Sequence, residues 1–306
     1  MATSAKQIKG KIQSVKNVGK ITKAMELVSV SKMQKSVAQL EKTRPYAVEA
    51  LSILATISDD DKREHQLLTH GDNSKNLVLL ISSNRGLCGS YNARIAKAAT
   101  EYVNRAENKH GSTVEFVCVG KYAETAVRRL RREIKASFQD FDESSTYADT
   151  IAIASVIHEL FETGDYWNVV IIYTNFVSTL VSTPVARQLL PVMTSNVENI
   201  LAEKTESSRS IVDEAVTNNI SELQFEPAED QVLDFVLRRL TDAQIYHGLR
   251  ESLASEHSSR MIAMKNATEN SNKLADELKL TYNRARQASI TQEISEIASG
   301  AEALNK

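Results

Sequence analysis

The stretch DQVLDFVLRRLTDAQIYHGLRESLASEHSSRMIAMKNATENSNKLADELKLTYNRARQASITQEISEIASGAEAL, residues 230 to 304, decides the fold because nothing in it stops a helix early. No proline occurs after Pro227, and no glycine lies between Gly248 and Gly300, so the strongest helix breakers are missing. At about 1.5 Å per residue, about 70 helical residues extend over roughly 100 Å, which is far longer than one compact domain. Pro227 followed by Glu229 and Asp230 is typical of a helix start.

An apolar or small stripe follows this helix at a spacing of about 3.5 residues, which is the repeat of a left-handed coiled coil. The stripe consists of Tyr246, Leu249, Leu253, His257, Met261, Met264, Thr268, Ser271, Leu274, Leu278, Tyr282 and Ala285. At Thr268 and Ser271 small side chains let two helices approach closely but bury little apolar surface. Either this seam also serves as a surface for another molecule, or it is a locally loose coil.

The first 58 residues form a second long helical pattern, which is the natural partner of the C-terminal helix. An apolar stripe at a spacing of about 3.6 residues runs through Ile8, Ile12, Val15, Val18, Ile21, Met25, Val28, Met33, Val37 and Leu40. Because the two helices lie at opposite ends of the chain, we predict an antiparallel coiled coil. Pro45 lies inside the pattern and predicts a kink or a break into two helices.

The N-terminal helix is strongly basic. Its first forty residues contain eight lysines and a single acidic residue, Glu26. Such an imbalance indicates a face for an acidic partner, a membrane surface or nucleic acid. A solvated coiled-coil face is the other interpretation, and the residues favour neither.

Composition excludes several classes of protein. The chain has 306 residues, is 42% hydrophobic and carries a formal charge of −2, as expected for a soluble protein and not for a general nucleic-acid binder. Cys88 and Cys118 are too few for a disulfide framework, and nothing near them has metal-ligand spacing. Because there is no signal-peptide core and no run of about 18 apolar residues, we expect membrane association only through partners.

The middle of the chain, residues 76–195, has the pattern of an α/β domain. Helical patterns alternate with apolar, β-branched runs, and this order predicts a Rossmann-like parallel sheet with right-handed crossovers. The strand runs are 77–82, 113–120, 167–174 and further material at 176–192, and the helical patterns are 91–108, 122–132 and 147–163. We expect a mobile connection at 59–75 and a polar connection at 196–229, followed by the C-terminal coiled-coil helix at 230–306.

SSNRGLCGSYN, residues 82 to 92, directly follows the first predicted strand and precedes a helix, where α/β folds bind phosphates. Gly86 and Gly89 give only GxxG, however, and the lysine and hydroxyl of a Walker A loop are missing. A structural turn is therefore favoured over a nucleotide site. Cys88 has no base at a recognisable spacing, so we expect an ordinary buried thiol.

The end of the C-terminal helix, residues 284 to 304, is the other candidate site. Hydrogen-bonding side chains are interspersed there with small residues. The hydrogen-bonding residues are Arg284, Arg286, Gln287, Thr291, Gln292 and Glu293. Arginine and glutamine can reach carboxylates and backbone groups of a surrounding protein, while small residues leave room for close contact. The segment is predicted to contact a partner.

Four motifs, in this order, resemble the gamma subunit of F-type ATP synthase: ITKAMELVSVSKM (21–33), SSNRGLCGSYN (82–92), ASEHSSRMIAMKNAT (254–268) and YNRARQASITQEISEIASGA (282–301). The resemblance covers essentially the whole chain. It implies a coiled-coil shaft inside a ring of three alpha and three beta subunits, and an α/β foot that sits with epsilon on the membrane c-ring. Such a subunit transmits torque during proton-driven ATP synthesis, is not itself catalytic, and is expected to hold neither a cofactor nor a metal.

The resemblance also implies contacts to the beta subunit. Met25 resembles the family methionine close to the acidic catch region of beta, and Lys20 and Lys23 beside it would face acidic partners. Further contacts are implied for Arg260, Arg286, Gln287, Thr291 and Gln292. The inserted cysteine pair of the chloroplast type is missing, so thiol switching is not expected. We expect no transit peptide before MATSAKQIKGK, and therefore a location at the cytoplasmic face of a bacterial inner membrane; the matrix side of the mitochondrial inner membrane is the alternative.

Two other classes of protein remain as alternatives. A nucleotide-binding α/β enzyme with a coiled-coil oligomerisation arm explains the middle domain but leaves the long helices without a use. A coiled-coil binder of nucleic acid explains only the lysines, and the sequence lacks the aromatic or arginine-rich interleaving usual at such surfaces.

Overall fold

The computed structural model describes residues 5–56, 65–71, 74–192 and 228–304. The helices are α1 (Ala5–Thr56), α2 (Tyr91–His110), α3 (Lys121–Arg129), α4 (Tyr147–Glu162) and α5 (Glu229–Leu304), and a short 3-10 helix covers Gln66–Leu68. The strands are β1 (Lys75–Ile81), β2 (Thr113–Val119), β3 (Ile134–Phe138), β4 (Tyr166–Phe176) and β5 (Ser182–Leu190). The predicted helix start at Pro227 and residues 196–227 of the predicted connection at 196–229 lie outside the described residues.

The five strands form one sheet in the order β3-β2-β1-β4-β5. The first four are parallel, as predicted, and β5 pairs antiparallel with β4. Strand order reverses between β1 and β4, which is where a doubly wound fold has its ligand crevice. Pro184 lies on the edge strand opposite Thr174, a position that tolerates a residue without an N–H group.

Both faces of the sheet are buried, which explains the continuous apolar runs in its strands. On one face Leu77 belongs to a buried cluster with Ile157 of α4 and Leu249 of α5. On the other face Val78 belongs to a cluster with Ile95 of α2 and with α3. Part of α5 is therefore a layer of the α/β domain, a role that its coiled-coil spacing does not predict.

The sequence does not predict two pieces of this domain. Strand β3 alternates between partly buried and exposed residues at the sheet edge, so it lacks an apolar run. Leu67 of the 3-10 helix is buried in the cluster on the α5 face of the sheet, and His65 Nδ1 accepts a hydrogen bond from its N–H at 3.1 Å. The predicted mobile connection is thus wrong for residues 65–71, because one leucine anchors the segment.

The chain divides into two compact units, Met1–Ser29 with Arg260–Lys306, and Val30–Ser259, so the division falls within both long helices. Helix α1 is continuous through Pro45 to Thr56, and the predicted break into two helices is wrong. A proline removes one hydrogen bond from the helical ladder, and the ladder continues on both sides of it. A kink at Pro45 stays a prediction.

The unit formed by the two chain ends is an antiparallel helical pair. A Cβ added to Gly19 would lie 3.4 Å from Ser271 Cβ, and Thr22 Oγ1 lies 2.7 Å from Thr268 Oγ1. From Gly19 to Thr22 the residue number rises along α1, whereas from Ser271 to Thr268 it falls along α5. The two helices therefore run in opposite directions, as predicted.

The face of α1 that forms this seam differs from the predicted stripe. Its buried and partly buried residues recur in alternating steps of four and three at Ile8, Ile12, Val15, Gly19, Thr22, Glu26 and Ser29. Val18, Ile21 and Val28 were placed in the seam by the apolar spacing, yet they are 50, 60 and 53% exposed. The prediction is wrong at these three residues because the seam turns Gly19 and Thr22 towards α5, where the helices approach closely, and leaves the large side chains beside them outside it. The 3.5-residue repeat, and not the 3.6-residue period of large apolar residues, marks the seam.

On α5 the predicted stripe is largely correct within the helical pair. Met264 is buried, and Thr268 and Ser271 are partly buried. Leu274 is the exception, since it is exposed while the neighbouring Ala275 is buried. A small residue again takes the inward position where a large one was predicted.

Candidate functional site

The loop between β1 and α2 satisfies its own polar groups. Asn92 Nδ2 donates to Ser83 Oγ at 2.7 Å, and the Ser83 N–H donates to Asn92 Oδ1 at 3.3 Å. The Lys121 N–H at the start of α3 donates to Asn84 Oδ1 at 3.0 Å. These contacts tie the loop to two helix starts and make it a structural turn, the interpretation that the sequence favours.

The C-terminal helix occupies the crevice at the reversal of strand order. Ser255 Oγ of α5 donates to the Thr174 carbonyl oxygen near the end of β4 at 3.1 Å. Tyr91 begins α2, and its hydroxyl lies 2.5 Å from Ser252 Oγ. Burial, assisted by the Glu256 charge, raises the pKa of Tyr91, so this hydroxyl is neutral. A dinucleotide binds at this position in other doubly wound folds, and here α5 fills it.

The two cysteines are free, buried thiols. Cys88 Sγ accepts a hydrogen bond from Asn92 Nδ2 at 3.3 Å inside the turn. Burial raises the pKa of Cys118 to about 12, so this thiol is protonated at neutral pH. The thiolate is the nucleophilic form of cysteine, and Cys118 does not supply it.

Within residues 5–56, 65–71, 74–192 and 228–304, no group of three or more histidine, cysteine, aspartate or glutamate side chains could hold a metal ion. No helix in those ranges is long and apolar enough to cross a membrane. The partner-contact residues that the sequence predicts all lie in the helical pair.

Lys20, Lys23 and Met25 lie on adjoining turns of α1. Both lysines are exposed and Met25 is partly buried. Lys23 Nζ lies 2.9 Å from Glu26 Oε1, and the lysine is the more exposed side chain of this ion pair. The Met25 carbonyl oxygen accepts a hydrogen bond from Ser29 Oγ at 2.7 Å. This part of α1 presents cations beside a thioether side chain.

An exposed apolar face adjoins these residues. Val18, Ile21, Met25 and Val28 follow one another in steps of three and four, which keeps them on one side of the helix. This surface is not evident from the sequence, because apolar spacing assigns the same residues to the seam. The alternating repeat of four and three residues through Gly19 and Thr22 is the signal that places the seam correctly and leaves this face outside.

The second group of predicted contact residues lies near the end of α5. Arg286, Gln287, Thr291 and Gln292 are all exposed. Thr291 Oγ1 donates to the Gln287 carbonyl oxygen at 3.0 Å, and Gln292 Nε2 donates to Glu296 Oε1 at 2.9 Å. Their hydrogen bonds stay within the helix, and the Arg286 guanidinium is presented to the surroundings.

The register of the helical pair explains this exposure. The two seam contacts place Ala5, the first described residue of α1, opposite Ala285 of α5. Residues of α5 beyond 285 therefore extend past the described part of α1. The same register separates Lys20 from Arg286 by roughly 24 Å along the helix axis, so the predicted contacts form two groups and not one.

Arg260 differs from the other seven predicted contact residues, because it is only 8% exposed. Seven of the eight predicted contact residues are therefore exposed or partly exposed, and Arg260 is buried. These features define an α/β protein whose two chain ends form an antiparallel coiled coil.

Comparison with known proteins gives the family. A model of the ATP synthase family matches residues 4–304. An ATP synthase gamma chain from Herpetosiphon aurantiacus is 36% identical over 312 residues, with 99% of each chain covered. Another from Dehalococcoides mccartyi is 37% identical over 300 residues, covering 97% of this chain and 98% of the relative. The chain belongs to the family of ATP synthase gamma chains, which are subunits of an enzyme complex, and the resemblance seen in the sequence is confirmed.

Solved structures support the fold. The OSCP/F1/c-ring structure of the Euglena gracilis mitochondrial ATP synthase includes a chain with a TM-score of 0.65 and 19% identity, covering 98% of this chain and 94% of that one. A chain of the Tetrahymena thermophila mitochondrial ATP synthase, from its central stalk and c-ring, has a TM-score of 0.58 and 24% identity over 81% of this chain and 99% of that one. The predicted combination of a Rossmann-like domain and a terminal helical pair is confirmed.

Proposed function

We propose that this chain is the central-stalk rotor subunit of an F-type ATP synthase. In that role it transmits torque between a membrane ring of c subunits and a ring of three alpha and three beta subunits during proton-driven ATP synthesis. The epsilon subunit accompanies its α/β domain. Membership of the gamma chain family over essentially the full length, combined with the antiparallel helical pair, carries the proposal.

The helical pair suits such a role because its surface is uneven. One part carries Lys20 and Lys23 beside an apolar face, and another carries Arg286 and Gln287 on α5 alone. A shaft with an uneven surface presents a different contact to each beta subunit as it turns. A conformational equilibrium shifts only when its states differ in contact free energy, and this unevenness supplies the difference.

The chain itself catalyses no reaction on this proposal. The crevice at the reversal of strand order is filled by Ser252 and Ser255 of α5, and the loop after β1 satisfies its own polar groups. The working location is the cytoplasmic face of a bacterial inner membrane, reached through the complex. Domain boundaries at 1–58, 76–195, 196–229 and 230–306 are part of the same proposal.

Cross-linking mass spectrometry on the native complex tests the proposal. Lys265, Lys273 and Lys279 are exposed on α5 within the helical pair, and Lys97 and Lys121 are exposed in the α/β domain. We expect a lysine-reactive reagent to join the first three to beta or alpha, and the other two to epsilon or c. The opposite distribution, or no link from α5 to the catalytic ring, contradicts the rotor assignment.

A further inference from the structure

A groove of about 530 Å³ lies between α2 and α3, beside the loop after β1. Its volume falls within the range of about 300–1,000 Å³ that is usual for small-molecule sites. Helices α2 and α3 cover the face of the sheet opposite α5, so the groove is separate from the crevice that α5 fills. None of the predicted partner-contact residues lines it.

The middle of the groove is lined by small apolar side chains. Ala96 on α2 and Ala126 on α3 face the space between the helices, and Leu87 of the loop adds an exposed apolar side chain at one end. Tyr122 stands at that end too, and a Cβ added to Gly86 would lie 2.9 Å from its hydroxyl oxygen. The lining suits an alkyl chain, because it offers apolar surface along its length.

The charged side chains that line the groove, Lys97 and Arg129, are both positive. Lys97 lies 3.7 Å from Glu101, and both side chains are mostly exposed, so this ion pair is weak. Arg128, the neighbour of Arg129, is held by Glu124 at 2.8 Å. Arg129 has no ion-pair partner among the described residues. The charge of the groove is complementary to an anion.

The two positive side chains lie farther along the helices than the apolar side chains at the loop. Helices α2 and α3 each follow a strand of the parallel part of the sheet, so they run in the same direction. Arg129 is the last residue of α3 and Lys97 lies in the first half of α2, directly after Ala96, whereas Tyr122 and the loop lie at the helix starts. The lining residues of α2 extend from Asn92 to Thr100, roughly 12 Å along the axis.

We propose that this groove binds a single-chain anionic lipid, with its phosphate or carboxylate head group between Lys97 and Arg129 and its alkyl chain along Ala96 and Ala126. A nucleotide is a poorer fit. The Asn92 amide, which could read the edge of a base, is already engaged by Ser83 and Cys88. The proposal is independent of the rotor function.

Isothermal titration calorimetry of the purified full-length chain with decyl phosphate, kept below its micellar concentration, tests this site. We expect saturable binding at one site that weakens as salt is raised, because the head-group contacts are electrostatic. Decyl maltoside has the same chain without the anion, and inorganic phosphate has the anion without the chain. Both should bind at least about tenfold more weakly, since each loses one half of the contacts.

Matched variants locate the site. K97Q with R129Q removes one lysine from α2 and one arginine from α3, and should weaken decyl phosphate binding about tenfold or more. R105Q with K121Q also removes one charge from each helix, but both residues lie outside the groove, and binding should be unchanged. A96L should reduce binding by filling the groove while circular dichroism and thermal unfolding stay close to those of the parent chain.

Several results would overturn the proposal. They are no saturable binding of decyl phosphate, equal loss in the two double variants, equal affinity for decyl maltoside, and tighter binding of AMP than of decyl phosphate. The last result would make the groove a nucleotide site and not a lipid site.

Discussion

Helix α5 takes part in two kinds of packing. In the α/β domain it buries large aliphatic side chains such as Leu237 and Leu249 against the sheet. In the helical pair it meets α1 through small or polar residues such as Thr268 and Ser271. The first kind stabilises through the area of apolar surface removed from water. The second brings two helices close together with little apolar burial.

The difference shows where the large apolar residues of α1 are used. Val18, Ile21 and Val28 are excluded from the close seam and face outwards. A helical pair that buried them would be more stable on its own but would offer a polar surface to a surrounding ring. We infer that the pair holds its shape through close approach and keeps its apolar side chains for partner contact.

The largest expected effect comes from the α/β side of this comparison. Leu249→Ala leaves a cavity in a fully buried cluster and should lower the free energy of unfolding by about 2–5 kcal/mol. Leu280→Ala on the same helix is the matched control, because Leu280 is 62% exposed and should change it by at most about 0.5 kcal/mol. Urea unfolding followed by circular dichroism measures both. Equal effects would remove the distinction between the two parts of α5.

Next in size is a change in the seam. Gly19→Leu introduces a side chain where even a Cβ lies 3.4 Å from Ser271 Cβ, and overpacking of this kind costs about 1–3 kcal/mol. Gly10→Leu makes the same exchange in the same helix with nothing within 4 Å of the new Cβ. It should stabilise the helix by up to about 1 kcal/mol. If both variants gain stability in thermal unfolding, the close seam does not exist in solution.

A double-mutant cycle measures the polar contact within that seam. Thr22→Val alone removes one partner of the 2.7 Å contact with Thr268 and should cost about 1 kcal/mol. Replacing both threonines by valine should cost less than the sum of the two single losses, because each single variant breaks the same contact. Additive losses in urea unfolding would mean that the two hydroxyls do not interact.

Acid should weaken the α/β domain through Glu115. Burial by itself raises the pKa of Glu115, but hydrogen bonds from Tyr166 and Lys135 and the Lys75 charge outweigh it, so the pKa is lowered. A carboxyl whose pKa is lower in the folded state stabilises the protein above its unfolded pKa. That stability is lost as pH falls through the folded value. Unfolding measured from pH 7 to pH 3 should therefore show a steeper acid loss for the parent chain than for Glu115→Gln, and parallel curves would contradict the assignment.

The smallest effect on stability is expected at the end of α5. Arg286→Ala with Gln287→Ala removes exposed side chains and should leave thermal unfolding of the chain unchanged. In the assembled complex the same variant should lower the proton pumping obtained per ATP hydrolysed, because the contacts to beta are weakened. Met25→Lys should act in the same direction by placing another cation beside Lys20 and Lys23. Unchanged coupling in both variants would reduce these residues to solvated side chains.

The sequence predicts the elements of this fold better than the faces they use. Continuous β-branched runs identify the buried strands, since both sides of the sheet are covered. Strand β3 is not predicted, because an edge strand is only partly buried and lacks a continuous apolar run. The seam face of α1 is predicted incorrectly, because apolar spacing assumes that large residues face the partner helix. In the structure Gly19 and Thr22 face it, and Val18 and Ile21 are exposed.

The candidate contact residues were assigned from motifs, and their contacts with partners stay a prediction. The role of Ser252 and Ser255 was not visible in the sequence, because filling a crevice depends on where α5 crosses the sheet.

Single-molecule rotation tests the rotor proposal most directly. Cys88 and Cys118 are buried, so Asn104→Cys, on the exposed side of α2, gives a selective attachment point for a bead on the α/β domain. With the alpha and beta subunits fixed to a surface, ATP hydrolysis should turn the bead continuously in one direction. Sustained hydrolysis with a stationary bead would contradict the assignment of this chain as the rotor.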